Sequence, residues 1–330
     1  HIADGATFIV RRGDEYRNVM PVWDWQKIPG TTVVQKKQLT GDPRREGETA
    51  FVGGVSDGTF GAAAFRFRRS PDDLRARKAW FFFDEFVVCL GAGISSSSDR
   101  SVLTTINQCR LNEPVVAHSN GMTRRISEGQ QTLHNTCWVQ HDGVGYVLPT
   151  GATTHVANRA TTGNWWRVNH QYSQETVREK LFTLWLDHGR APKNADYSYV
   201  IVPDTQPESL EMYIDAMPVE ILCNTPELQA VQHMQKALVQ AAFYAPGRLK
   251  PPGMPSITAE EPCLVMLRND GDCTALHACD PTRDRGTIHL QIGDHPSARN
   301  SDLRATRDAK RLAVDLPEGP YAGSTRAVRL

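Results

Sequence analysis

The residues Ala79-Trp80-Phe81-Phe82-Phe83-Asp84-Glu85-Phe86-Val87-Val88-Cys89-Leu90 form a long apolar, aromatic and β-branched run that leads into Gly91-Ala92-Gly93-Ile94-Ser95-Ser96. No other stretch constrains the fold as strongly. A run of this kind predicts a strand buried on both faces, and Gly-x-Gly followed by serines predicts a tight turn that closes it. Gly91-Ala92-Gly93 carries only two of the three glycines of a dinucleotide fingerprint, and no good helix former follows, so nucleotide binding draws little from it.

Glycine and proline number 25 and 20 among 330 residues, and strand-like pieces recur at short intervals between them. That pattern predicts an all-β architecture. The chain is long enough for one large domain or two ordinary ones. Basic and acidic residues balance at 37 each, so no global field recruits nucleic acid or a membrane surface. No apolar run approaches the length that spans a bilayer. Seven cysteines (Cys89, Cys109, Cys137, Cys223, Cys263, Cys273, Cys279) lack a paired CxxC spacing, which argues against a zinc site. Their odd number points to buried thiols rather than a disulfide framework, with one bridge among Cys263, Cys273 and Cys279 left open. The sequence has no initiating Met, and Thr7-Phe8-Ile9-Val10 already reads as a strand. Chains rarely open inside a sheet, so these residues are expected to come from a longer protein.

Turn chemistry punctuates the first 70 residues at Ile28-Pro29-Gly30, Gly41-Asp42-Pro43 and Ser56-Asp57-Gly58. Strands are expected at Phe51–Val55 and Ala64–Phe67, then at Val102–Ile106, Gly145–Leu148 and Tyr197–Val202. Val177–Asp187 fits a short helix or an amphipathic strand equally well. Beyond Pro218 the pattern changes. Thr225-Pro226-Glu227 resembles a helix start, and Leu228–Ala242 has good helical propensity. A Pro/Gly-rich connector over 247–255 precedes strand candidates at Cys263–Leu267, Ala275–Cys279, Thr287–Ile292, Leu312–Leu316 and Ala327–Leu330. The domain boundary falls near residue 218, giving domains of 1–218 and 219–330, the second the size of a small sandwich.

Several blocks, in order, resemble one family. They include Tyr16-Arg17-Asn18-Val19, Pro21-Val22-Trp23-Asp24-Trp25, Ile28-Pro29-Gly30-Thr31-Thr32 and Phe51-Val52-Gly53-Gly54-Val55-Ser56-Asp57-Gly58. Lys78-Ala79-Trp80-Phe81-Phe82-Phe83, Leu90-Gly91-Ala92-Gly93-Ile94, Thr105-Ile106-Asn107-Gln108 and Trp138-Val139-Gln140-His141-Asp142-Gly143-Val144-Gly145-Tyr146 follow, with Asp280-Pro281-Thr282-Arg283 and Asp315-Leu316-Pro317-Glu318-Gly319-Pro320-Tyr321-Ala322-Gly323 near the end. By these the chain resembles the family 8 polysaccharide lyases, whose members include chondroitin AC, hyaluronate and xanthan lyases. The resemblance implies a large antiparallel β super-sandwich followed by a small C-terminal β-sandwich. It also implies that the family's N-terminal helical toroid, which carries its Asn, His, Tyr and Arg catalytic set, is absent from this chain.

The implied chemistry is β-elimination of a uronic-acid polysaccharide, which needs a group that neutralises the carboxylate and a base for the weakly acidic α-proton. Tyr serves as that base when nearby Arg or His lowers its pKa. In the family a super-sandwich glutamate orients the toroid's Arg and Tyr from the loop that here reads Asp42-Pro43-Arg44-Arg45-Glu46-Gly47-Glu48-Thr49-Ala50. Glu46 and Glu48 are the candidates, against the alternative of solvated loop acids. Arg44 and Arg45, and the basic pair Arg124 and Arg125, are candidates for binding the sugar's carboxylate or sulfate through the guanidinium fork, against plain surface roles. Trp23 and Trp25 are candidate sugar-stacking platforms, with core packing the competing role. His141-Asp142-Gly143 reads as a hairpin turn rather than a dyad, because adjacent strand residues face opposite ways. Asn107-Gln108 and Trp165-Trp166 read as architecture.

The expected whole-protein function is therefore eliminative cleavage of a glycosaminoglycan-like chain, chondroitin or hyaluronan before xanthan, in a secreted enzyme. The chain alone is expected to be inactive. Expected partners are the acidic polysaccharide and the toroid domain, with no nucleic acid and no membrane. No cofactor is implied, and no metal site or calcium loop motif is present. A competing function is a non-catalytic carbohydrate-binding or scaffolding module. A third, a sugar epimerase-like activity, would need acid and base groups converging on one concave face.

Overall fold

The computed structural model describes residues 1–39, 47–269, 273–293 and 310–330. The described chain is built almost wholly of antiparallel strands. Its one α-helix among these residues is the nine-residue Pro207–Asp215. The described residues fall into two compact units: the first comprises 1–39, 69–75 and 94–216, the second 47–68, 76–93 and those of 217–330.

In the first unit the strands order as Thr32–Val34, Ser101–Arg110, Val177–Arg190, Val144–Gly163 and Ala195–Pro203. Gly129–His141 also pairs with Val144–Gly163, and Val116–Ser119 and Met122–Arg125 extend the sheet beyond it. Short-range chemistry sets the hairpins. Asp142 and Gly143 both take positive φ, 51° and 70°, the signature of the two-residue turn that matches strand twist. Asn120 and Gly121 do the same between Val116–Ser119 and Met122–Arg125. Val177–Arg190 is a strand throughout, so the undecided segment resolves to β. Thr7–Val10 is not a strand; the segment is tied down by Thr7 N–H to Pro29 O and Ile9 N–H to the Tyr16 hydroxyl.

The second unit contains a six-stranded sheet, Val219–Asn224, Leu228–His233, Leu238–Phe243, Cys263–Asn269, Thr274–Cys279 and Arg326–Arg329. A four-stranded sheet, Gly247–Leu249, Ile257–Ala259, Thr287–Ile292 and Lys310–Asp315, completes the sandwich. Val239, Phe243, Val265 and Leu276 from the first share one apolar cluster with Ile257, Ile288, Leu290 and Val314 from the second. Thr287–Ile292 alternates half-buried and buried positions along its length, as a strand with one core face must. Every residue of Leu238–Phe243 is buried, since the strand is covered on both faces.

Two expectations about this unit change. Leu228–Ala242 is not a helix but two strands, Leu228–His233 and Leu238–Phe243, joined through Met234–Ala237. Helix propensity loses here because Gln229–His233 and Leu238–Ala242 are buried throughout, which a sheet with neighbours on both sides provides, and packing outweighs a weak local preference. Thr225-Pro226-Glu227 is the turn before them, with the Leu228 N–H donating to Thr225 Oγ1 at 3.2 Å. The Gly91-Ala92-Gly93 element is likewise not a turn, since the strand Val87–Ser95 runs straight through it. All seven cysteines are free, so the bridge left open among Cys263, Cys273 and Cys279 is not formed.

Tyr244 ties the strand Leu74–Phe82 to the six-stranded sheet. Its hydroxyl lies 2.9 Å from the Lys78 carbonyl and 2.8 Å from Gln229 Oε1, wholly out of water. Arg77 stands over its ring, and Arg66 donates to its backbone carbonyl. Replacing Tyr244 with Phe strands buried acceptors at once, so Tyr244→Phe is expected to destabilise the second unit by about 1–3 kcal/mol. Denaturant unfolding followed by fluorescence checks this, and an unchanged midpoint would contradict it.

Candidate functional site

A buried polar network lies where the N-terminal segment crosses the first unit's sheet. The Tyr16 hydroxyl donates to Asn107 Oδ1 at 3.1 Å, and Asn107 Nδ2 donates to the Tyr146 hydroxyl at 2.6 Å. Cys109 Sγ sits 3.8 Å from His141 Nδ1, and the His141 ring stacks on Phe182 at 4.4 Å. At the network's edge Arg12 pairs with the buried Asp142 at 2.7 Å, and Asn112 Nδ2 donates to the same carboxylate. Electrostatically this is the reverse of a catalytic centre. Burial drives the Cys109 thiol and the Tyr16 and Tyr146 phenols up, away from the ionised forms a nucleophile or base requires. Burial and the Arg12 charge bring His141 down to about 3, so the imidazole stays neutral. Asn107 and His141 therefore act as architecture, as expected, and His141 and Asp142 do not form a dyad.

On one face of the same sheet the strands bring a different set together. Register places Gln130, Ala157, Thr183 and Gln108 in one cross-strand row, from Gly129–His141, Val144–Gly163, Val177–Arg190 and Ser101–Arg110 in turn. Directly opposed residues in antiparallel strands share a face, so the row is a continuous surface. The neighbouring rows contain Thr132, His155 and Trp185 on one side and Arg159 and Leu181 on the other. His155 stacks on Trp185 at 5.4 Å with 15° between the planes and bonds to Thr132 Oγ1 at 3.0 Å.

Two segments wall this face into a cleft of about 480 Å³. One is Val22–Lys27, held against the sheet by Gln108, which accepts from Asp24 N–H and donates to the Asp24 and Lys27 carbonyls at 3.0 and 2.7 Å. The other is the single turn Trp165–Arg167, capped by Asn164 Oδ1 on the Arg167 N–H at 3.1 Å. Gly163 lets them meet: a Cβ there would lie 1.9 Å from Pro21 O, and Arg167 Nη1 reaches the same carbonyl at 3.4 Å. Lys27, Arg159 and Arg167 line the cleft against the single carboxylate of Asp24, which Lys27 already neutralises. Exposed Gln130, Arg159 and Arg167 give the cleft a polar, cationic lining that suits a hydroxyl-rich, negatively charged ligand.

The sequence candidates are distributed differently. Arg44, Arg45 and Glu46 lie outside the described residues. Glu48 is half-buried and 4.0 Å from Arg68. Arg124 and Arg125 are exposed strand residues of Met122–Arg125, and neither lines the cleft. Trp23 is only 2% exposed and packs edge-on against Trp25 at 5.2 Å, within an apolar cluster with Val19, Val22, Ile28 and Leu181. Neither face of Trp23 is free for a sugar. Gln130, Arg159, Arg167 and Thr183 are not singled out by the sequence, because no motif or spacing links them. Among the described residues no three His, Cys, Asp or Glu side chains gather as a metal site.

Fold and site together define an all-β, two-unit protein with a polar cleft on one sheet face. The chain belongs to polysaccharide lyase family 8: residues 1–214 match its super-sandwich domain and 220–289 its C-terminal β-sandwich domain. It is 38% identical to Chondroitinase-AC of Pedobacter heparinus, with 98% of this chain and 45% of that protein covered. It is 32% identical to Hyaluronate lyase of Thermasporomyces composti, covering 93% and 40%, and 30% identical to Xanthan lyase of Bacillus sp., covering 90% and 33%. A chondroitinase AC lyase solved in oligosaccharide complexes superposes with a TM-score of 0.88 at 37% identity, over 98% of this chain and 47% of that one. The Streptomyces coelicolor chondroitin AC lyase in complex with chondroitin sulphate gives 0.76 at 28% identity, over 97% and 42%. The chain thus spans less than half the length of these relatives.

Proposed function

We propose that this chain is the β portion of a secreted lyase that cleaves a uronic-acid polysaccharide, chondroitin sulfate or hyaluronan, by β-elimination. The observation that carries this is 38% identity to a chondroitinase AC along 98% of the chain. In the reaction the C5–H bond breaks, its electron pair forms the C4=C5 double bond, and the C4–O bond to the next sugar breaks. The proton taken from C5 leaves with the base, and the departing oxygen gains one. The base and the group that neutralises the carboxylate belong to a helical toroid domain outside this chain. The described tyrosines Tyr16, Tyr146 and Tyr244 are all pushed up by burial, the wrong direction for a base near neutral pH. Within this chain, Glu46 or Glu48 would orient the toroid's Arg and Tyr, and the chain by itself would be inactive.

A second reading, a non-catalytic carbohydrate-binding or scaffolding module, draws on the polar cleft of the first unit. Ultraviolet absorbance of the unsaturated uronate product separates the two. Chondroitin sulfate, hyaluronan and xanthan are each incubated with this chain and with the full-length protein. Product is expected from the full-length protein with the first two substrates and from this chain with none. Product from this chain alone would place the chemistry in residues given architectural roles here, and its absence from both would leave the binding module.

A further inference from the structure

The cleft on the first unit's sheet face has no role in the elimination chemistry outlined above, yet it is built as a binding site. Its charge is uneven. Lys27 is satisfied by Asp24, but Arg159 and Gln130 have no side-chain hydrogen bond or ion pair among the described residues, and both are exposed. Arg167 makes one 3.4 Å side-chain bond, to a backbone carbonyl, and has no ion pair among the described residues. Two guanidinium groups in one lining, whose single carboxylate, Asp24, is already paired with Lys27, favour an anion. Trp23 lies in the lining with an indole N–H that is buried and has no acceptor among the described residues. That donor lies out of reach of a ligand in the cleft, so Trp23 supports the wall by packing alone.

The rest of the cleft limits the ligand further. Gln108 has both ends of its amide engaged by the Val22–Lys27 segment, so it shapes the wall and is not available to the ligand. Gln130 and Thr183, in the same row, present groups that match sugar hydroxyls. Ala157 and Leu181 are buried beneath them and fill the base of the cleft. The volume of about 480 Å³ falls within the roughly 300–1,000 Å³ of small-molecule sites and fits one or two sugar units.

We propose that this cleft binds an acidic saccharide unit of the polysaccharide, with Arg159 and Arg167 on its carboxylate or sulfate and Gln130 and Thr183 on its hydroxyls. The proposal rests on the polysaccharide reading for the class of ligand but not on the chemistry of cleavage. Arg159 and Arg167 make no structural ion pair among the described residues, so the double variant R159A/R167A should fold as the parent does, which circular dichroism verifies.

Calorimetric titration of the chain with three tetrasaccharides provides the test: chondroitin 4-sulfate, hyaluronan and neutral chitotetraose. Binding of one or both acidic probes is expected, with chitotetraose at least tenfold weaker. Equal affinity for hyaluronan and chondroitin sulfate would assign the anion contact to the uronate carboxylate, and binding of the sulfated probe alone would assign it to sulfate. R159A/R167A is expected to weaken binding by roughly 10–100-fold, the loss that goes with one or two charge-assisted hydrogen bonds. The pair R326A/R329A, on exposed strand residues of the second unit that do not line the cleft, should change nothing. Equal binding of chitotetraose, no binding of either acidic probe, or acidic-probe binding that R159A/R167A leaves intact would each overturn the proposal. None of these outcomes bears on product release by the full-length protein. Conversely, a full-length protein that releases no unsaturated product would leave this binding result standing.

Discussion

Acidification is expected to unfold the first unit well before its surface carboxylates are all protonated. His141 is brought down from 6.5 to about 3 by burial and by Arg12, and His188 down to about 4 by burial, partly offset by Asp187. Above pH 6.5 both imidazoles are neutral in the folded and unfolded states, and pH does not act through them. Below it the unfolded chain binds two protons that the folded unit refuses, so stability falls as pH falls, at up to about 1.4 kcal/mol per pH unit for each histidine. His188 stops contributing below about 4 and His141 below about 3, for a total loss on the order of several kcal/mol. That loss rivals the whole stability of an ordinary domain. His141→Phe keeps a ring over Phe182 and removes the titrating group, and the His141 Nε2 it replaces has no partner among the described residues. Its acid unfolding midpoint, read by tryptophan fluorescence, should move to lower pH with a shallower slope between 6.5 and 3. Coincident curves for the two proteins would show that His141 does not drive the transition.

Gly163→Ala should be among the most damaging single-methyl changes in the first unit. The added Cβ would sit 1.9 Å from Pro21 O and 2.8 Å from Pro21 C, both backbone atoms that no side-chain rotation can clear. Either the end of Val144–Gly163 or the Pro21 segment must shift, at a cost of about 2–4 kcal/mol. Because Val22, Trp23, Asp24 and Lys27 follow directly and wall the cleft, affinity for acidic saccharide should fall with stability. Gly151→Ala is the matched control. Gly151 has φ +68° but open space around its Cβ position, so its cost is conformational only, about 1 kcal/mol. Calorimetric melting of both variants checks the ranking, and a Gly163→Ala protein as stable as Gly151→Ala would refute the close approach.

The parts of the fold that could be read from the sequence are those fixed by neighbours along the chain. Asp142-Gly143 and Ser56-Asp57-Gly58 announce hairpins because their φ requirements are local. At the second, Asp57 Oδ1 accepts from Thr59 and Phe60 N–H, as an Asx turn does. Thr287–Ile292 was legible as a strand to the residue, since its alternation shows one buried face. Leu228–Ala242 misled for the opposite reason. Its Ala, Leu, Gln and Lys favour a helix locally, and only neighbouring strands reveal that both faces are buried. Gly91-Ala92-Gly93 misled in the same way, as glycines in mid-strand look like a turn until the strand's partners are known.

The cleft was not legible at all. Trp23, Gln108, Gln130, Arg159 and Thr183 are dispersed over some 160 positions, and no spacing rule joins them. Strand register brings them onto one face, and a shift of one residue in any of the four strands would turn its contribution to the other side. By itself the sequence determined the all-β class, the hairpin turns and, through its ordered blocks, the family. Tertiary structure decided which face of which strand carries the polar side chains, whether Trp23 is a platform or a core residue, and that Cys109 and His141 are neutral packing groups. Those outcomes depend on burial and register, which arise only when distant segments pair and exclude water.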